Sequence, residues 1–310
     1  MKRYRLFQNL TLRKGLSSNI TEKYMAFNAM YDGGREINFF LMKLSDRSLR
    51  ILEPPWGNIA NGRIYNTPFV RGSSVFVPNF NEDQGGFWYS SDLGSNWRKV
   101  ELGGTSAEPI AIKVSEDEKY QMYVDRVHGT YVSINYGSSW AHIGGSEVVD
   151  CGISNDGKYM IIADLNEGAY FSDNYGESFR QIFPNACGRA DISYLTHRCF
   201  LADQSDDVYE YHIDDETTTL IDDSMTSDYG SLSASYNGEI FLTGDSNGNT
   251  LLYKDPSTFY PDLSSYLPNR TTYGSQVSYD GKIMKQSDGR ETAISFDYGE
   301  TWENFDPNRF

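Results

Sequence analysis

Ser172-Asp173-Asn174-Tyr175-Gly176-Glu177-Ser178-Phe179 is the stretch from which the rest of the chain can be read. A serine, an Asx residue two places on, a glycine two places further and a terminal aromatic ring combine a tight-turn signal with a strand former. The pattern S-x-[DN]-x-G-x-[STN]-[WF] recurs as Ser90-Ser91-Asp92-Leu93-Gly94-Ser95-Asn96-Trp97, Ser133-Ile134-Asn135-Tyr136-Gly137-Ser138-Ser139-Trp140 and Ser295-Phe296-Asp297-Tyr298-Gly299-Glu300-Thr301-Trp302. Its steps are 43, 39 and 123 residues. Three steps of about 41 residues fill the last gap, the repeat length expected of stacked units. Two degenerate copies are therefore expected, near Tyr211 and Lys254.

A second motif gives the same period independently. A serine followed ten residues later by aspartate occurs at Ser115–Asp125, Ser154–Asp164, Ser193–Asp203, Ser235–Asp245 and Ser278–Asp288, in steps of 39, 39, 42 and 43 residues. Most copies carry an Asp-Gly or Asn-Gly turn between, where tight hairpins need positive φ. Further back, Tyr24–Met30, Ile37–Leu44 and Leu49–Glu53 read as strands of a more divergent first unit, and Arg71–Phe80 opens the second.

Each unit reads as four short antiparallel strands. For Val148–Phe183 these are Val148–Ser154, Lys158–Asp164, Ala169–Ser172 and Ser178–Phe183. One such sheet cannot cover both its faces, whereas radial stacking covers them all, so the expected fold is an all-β, single-domain β-propeller. Seven blades are expected, roughly 1-55, 56-104, 105-145, 146-184, 185-223, 224-270 and 271-310; six blades plus an N-terminal extension is the alternative.

The first motif resembles the Asp box, or BNR repeat, of sialidases, sortilin-type receptors and related propellers. That resemblance implies a structural turn in which Ser90, Asp92, Gly94, Ser133, Asn135, Gly137, Ser172, Asn174, Gly176, Ser295, Asp297 and Gly299 hold the backbone, while Trp97, Trp140, Phe179 and Trp302 plug the space between sheets. Propeller topology then puts these turns on one face. The opposite face is expected to gather Asp125, Asp164, Asp203, Asp245 and Asp288, with Arg126, His128 and Arg290 beside them, as the candidate binding ring. The competing explanation for the five aspartates is local turn capping.

The chain has 310 residues and carries 27 Lys+Arg against 43 Asp+Glu, a net charge of -16. Such a field repels phosphate backbones and anionic bilayers, so neither nucleic acid nor membrane is an expected partner. No apolar run reaches the ~20 residues of a membrane helix. Cys151, Cys187 and Cys199 are widely spaced and read as reduced, packed thiols.

The resemblance also raises sialidase chemistry, whose early Phe/Tyr-Arg-Ile-Pro segment has no counterpart here; Phe69-Val70-Arg71-Gly72 and Tyr4-Arg5-Leu6-Phe7 are the nearest stretches. Asp245-Ser246-Asn247-Gly248-Asn249 is half of a calcium loop without its distal glutamate, so no metal and no cofactor are expected. Short, even connections argue against a built pocket; the longest, Asp255–Arg270, is rich in Pro and Tyr. The expected role is a non-enzymatic interaction module that binds proteins or a glycan, most simply a virion component. An intracellular scaffold and a glycosidase are the alternatives. The N-terminus shows no apolar leader, so a virion or cytoplasmic location is expected rather than classical secretion.

Overall fold

The computed structural model describes residues 23–31, 36–55, 68–79, 85–104, 106–193, 195, 197–205, 207–223, 229–245, 247, 249–255, 257–259, 261–263, 265–267, 274–278, 280–287 and 292–305. All regular structure among them is strand, in seven antiparallel sheets that form a seven-bladed β-propeller. Blade 1 (Tyr24–Leu52) has three strands among the described residues; the other six each have four. These are blade 2 (Phe69–Val100), blade 3 (Pro109–Gly144), blade 4 (Val148–Phe183), blade 5 (Cys187–Asp222), blade 6 (Tyr229–Phe259) and blade 7 (Gly274–Phe305). Strands are ordered outward as they occur in the chain, so the first of each blade is innermost.

Burial follows from that order. The second strand lies mid-sheet with a blade on either side, and Gln121–Asp125, Met160–Asp164 and Ile240–Asp245 are buried at every position. The outermost strand of blade 5, Thr217–Asp222, faces water along most of its length and is built from threonines. Seven apolar clusters fill the seven gaps. In the gap between blades 4 and 5, for instance, Ile161 and Phe171 meet Ile192 and Leu201. The ring closes where Met25, Phe27, Phe40 and Met42 of blade 1 meet Ile294 and Phe305 of blade 7. Phe305 stands edge-on to Phe27, with ring centroids 5.0 Å apart.

The repeated turns explain why blades dock in register. In the turn after Ser172, the serine Oγ accepts the Gly176 amide at 3.0 Å and donates to Asn174 Oδ1 at 2.8 Å, while that same oxygen accepts the Ser178 amide at 3.1 Å. The circuit repeats around Ser90, Ser133 and Ser295. Gly176 and Gly299 both have positive φ, and a Cβ there would strike Val132 of blade 3 at 2.9 Å or Leu252 of blade 6 at 2.6 Å. Glycine is therefore required both for the turn and for contact with the preceding blade.

Each such turn is tied to the hairpin between its blade's first two strands. The Leu93, Tyr136, Tyr175 and Tyr298 amides donate to the carbonyls of Ser73, Lys119, Lys158 and Lys282. In blades 5 and 6 the Ile213 and Asp255 amides donate likewise to His197 and Glu239. The degenerate copies thus keep the backbone bond after losing the motif.

A further set of bonds runs around the axis. The innermost strand of every blade is a sheet edge, with amides and carbonyls that no ladder satisfies. Side chains from the preceding blade supply partners. Asp150 Oδ2 accepts the Ala190 amide at 3.4 Å, Asp191 Oδ2 the Ala234 amide at 3.0 Å, and Ser233 Oγ the Val277 amide at 3.2 Å. Arg71 donates to the Val114 carbonyl at 3.0 Å, and Gln276 to the Ala26 carbonyl at 3.3 Å. All five run in the same direction, from one blade to the next.

Closure through apolar packing at the seam of blades 7 and 1 is testable. Phe305→Ala removes a ring packed on Phe27 and Phe40 and should lower stability by about 3 kcal/mol in urea unfolding. A change below about 1 kcal/mol would show that this seam does not hold the ring.

Candidate functional site

The expected ring of aspartates lies where topology put it, at the hairpins joining second to third strands. These hairpins bond the inter-blade connections: Glu147 N donates to the Arg126 carbonyl, and Gln204 N to that of Ala186. Asp125, Asp164, Asp203 and Asp245 are each buried to 3% exposure or less. Asp125 Oδ1 accepts the Val127 and His128 amides at 3.0 and 2.9 Å, and Asp164 Oδ1 those of Asn166 and Glu167 at 2.8 and 2.9 Å. Asp203 Oδ1 takes the Ser205 and Asp207 amides, and Asp245 Oδ1 those of Asn247 and Asn249. Each carboxylate serves its own hairpin, and these bonds bring no two of the four together. Asp288 and Arg290 lie outside the described residues.

What this face offers to solvent is different. Arg126 and Glu147, both about half exposed, form an ion pair at 2.6 Å. His128 accepts His142 Nε2 on its carbonyl at 2.7 Å. Tyr123 donates to Asp125 Oδ2 at 3.1 Å and accepts the Gly86 amide at 2.9 Å, linking blades 2 and 3; burial, then Asp125, pushes its phenol well above the usual range. A crevice nearby is lined by Gly85, Glu101, Leu102, Gly103 and Gly104, and Glu101 is drawn to Lys99 at 3.3 Å. The Asn247 and Asn249 amides both turn back to Asp245 Oδ1, and among the described residues no three His, Cys, Asp or Glu side chains are grouped to hold a metal ion. The Pro/Tyr-rich connection folds inward at Leu263 and Leu267, which pack on Ala293, with Tyr266 and Trp302 against them.

The opposite face carries the serine–Asx turns. Trp97, Trp140, Phe179 and Trp302 pack into the gaps with blades 1, 2, 3 and 6, the blade preceding each. Hydrogen bonds from Asn96, Ser90 and Ser95 hold the partly exposed Asp92 carboxyl down at about 2. The residue between Asx and glycine behaves otherwise. Leu93, Tyr136, Tyr175 and Tyr298 occupy left-handed backbone at φ of 58° to 61°, a conformation that bulky residues resist. Tyr136, Tyr298 and Tyr175 are 57%, 43% and 37% exposed. Ile134 and Leu195 are exposed in turns of the same face. Of nine large apolar or aromatic side chains exposed among the described residues, five lie on this face; Val127 lies on the other, and Ile51, Ile143 and Leu220 lie on outermost strands. Tyr120 of blade 3 stacks on Tyr175 of blade 4 at 4.7 Å, and Lys119 Nζ donates to the Tyr120 hydroxyl at 3.0 Å.

The sequence reading passed over two groups. One is these tyrosines, hidden inside a motif read as architecture. The other is a set of polar side chains on innermost strands: Lys113, Asp191, Ser233 and Gln276, each two residues before a serine of the second motif, with Arg71 on the innermost strand of blade 2. A polar residue at one fixed offset before the motif serine in four of its five copies was the available signal. Burial raises Asp191 to about 6, against the pull of Lys113; burial lowers the Lys113 ammonium, yet Asp191 and Asp150 leave it raised. Cys151, Cys187 and Cys199 are free and buried; burial pushes all three thiols up, Cys187 to about 12.

No protein-family model matches this chain, nor does any curated protein.

The two roles predict opposite mutational outcomes. Asp245→Ala strips the acceptor from two turn amides and should cost about 2 kcal/mol of stability by chemical denaturation. Arg126→Ala, breaking a half-exposed pair, should change it by less than about 1 kcal/mol.

Proposed function

We propose that this chain is a non-enzymatic interaction module of the Asp-box propeller kind, and that it engages a protein partner through the face bearing its serine–Asx turns. One observation carries the reading: three tyrosines stand exposed at left-handed positions where Asn or Gly would sit without strain. Strain of about 1 kcal/mol or more at each position, kept for a ring in water, points to selection for display. Tyrosine suits that use, because it offers a large rigid surface with a polar tip at little entropic cost. The buried carboxylates of the opposite face are committed to turn amides, which supports a role without catalysis. The setting we propose is a virus particle, where short even connections and strong acidity suit an assembled, soluble component; its presence in purified particles by mass spectrometry is the test of that part.

The stacked Tyr120–Tyr175 pair beside Lys119 favours a glycan as the second reading, since it presents aromatic rings beside an amine. Tyr136→Asn and Tyr298→Asn separate display from folding. Both should leave the unfolding midpoint unchanged or slightly raised, and both should weaken pull-down of the partner at least tenfold. A glycan array on the same variants distinguishes the two readings. Binding unaffected by either substitution would contradict the use of this face, and turnover of aryl-glycosides by the purified protein would contradict the non-enzymatic role.

A further inference from the structure

The seam between blades 7 and 1 encloses an amine that no described residue neutralises. Lys285, in the second strand of blade 7 (Met284–Ser287), is fully buried, and its Nζ makes no hydrogen bond. It lies over the Phe27 ring of blade 1, 5.8 Å from the centroid. Its cross-strand neighbours are Gln276 and Ile294. Gln276 gives Nε2 to the Ala26 carbonyl of blade 1, and its buried Oε1 has no donor. Gly274 lies beside the amine, where a Cβ would make ordinary contact with Nζ at 3.5 Å.

Among the described residues, the elements around it bring no compensating charge. On its own sheet the flanking strands present Gly274, Ser275, Gln276 and Val277 on one side and Thr292, Ala293, Ile294 and Ser295 on the other. From blade 1 the packed residues are Met25, Phe27, Phe40, Met42, Leu44 and Leu49, and Ile283, Ile294, Phe296 and Phe305 of blade 7 complete the cluster. None of these titrates. The described ion pair across this seam, Arg47–Glu303 at 2.7 Å, is more than half exposed on both sides.

We propose that this seam is a proton-sensitive latch, closed most firmly while the Lys285 amine is neutral and released more readily once the amine is protonated, because only an opened seam gives the ammonium water. Burial lowers the amine from its ordinary 10.5 to about 7 in the closed ring. The closed form therefore binds the proton less readily than the open form. The stability that Lys285 permits is greatest above 10.5, is lost as pH falls toward about 7, and is level below that. Between pH 8 and pH 6 the opening constant of the seam should rise about tenfold.

Hydrogen exchange on the whole protein, corrected for the intrinsic rate, reads this directly. Amides of Tyr24–Phe27 and Gly274–Val277 should lose about tenfold protection between pH 8 and pH 6, while those of Val148–Ile153 should change less than threefold. Lys285→Met, which keeps length and volume, should abolish the difference and raise protection of the seam at pH 6. A pH response as large in the variant as in the wild type, or one equal in all blades, overturns the proposal. Should the variant fail to fold, the lysine 13Cε resonances of the wild type decide: one titrating near pH 7 supports the latch, and all titrating above pH 9.5 refutes it.

Discussion

An innermost strand with nothing on its inner side is the constraint around which this molecule is organised. A sheet edge carries backbone donors and acceptors that must be met by something. Here Asp150, Asp191, Ser233, Arg71 and Gln276 each reach forward and satisfy the edge of the blade ahead. The bonds run one way because alternate side chains of each innermost strand face the following blade. A ring built so is sewn as well as packed, and its polar groups near the axis are structural before they are anything else.

The same economy governs the faces. Acidic side chains are abundant, yet the best placed of them are spent on turns: Asp125, Asp164, Asp203 and Asp245 hold hairpins, and Asp92 and Asp297 hold the motif loops. What remains for recognition is the set of groups with no structural employment. On the motif face these are the Tyr136 and Tyr298 rings, held outward at a backbone cost. At the seam of blades 7 and 1 it is an amine that packing has left alone, at the point where the first and last parts of the chain must find each other.

Much of the architecture was legible in the sequence because the turn chemistry is stereotyped. Ser172, Asn174 and Gly176 announce a specific hydrogen-bond circuit, and its spacing announces the repeat. The expected strands Tyr24–Met30, Ile37–Leu44 and Leu49–Glu53 are observed at Tyr24–Tyr31, Glu36–Lys43 and Ser48–Leu52, the last being outermost in a blade of three described strands rather than four. The exposed display was harder to read. Tyr175 looks in sequence like any strand aromatic, and only the left-handed backbone at 61° reveals what its position costs. Lys285 was invisible for a related reason: the ring over its amine is Phe27 of blade 1, which only ring closure brings near.

Hydrogen exchange at single amides tests the sewing most directly. Ala190, Ala234 and Val277 belong to strands with no partner on that side, so an unbracketed edge would exchange them at nearly the rate of an unfolded chain. The bracketed ring predicts protection comparable to amides inside the ladders, and Asp191→Ala should release Ala234 while leaving Val277 slow. Fast exchange of all three in the wild type would contradict the account.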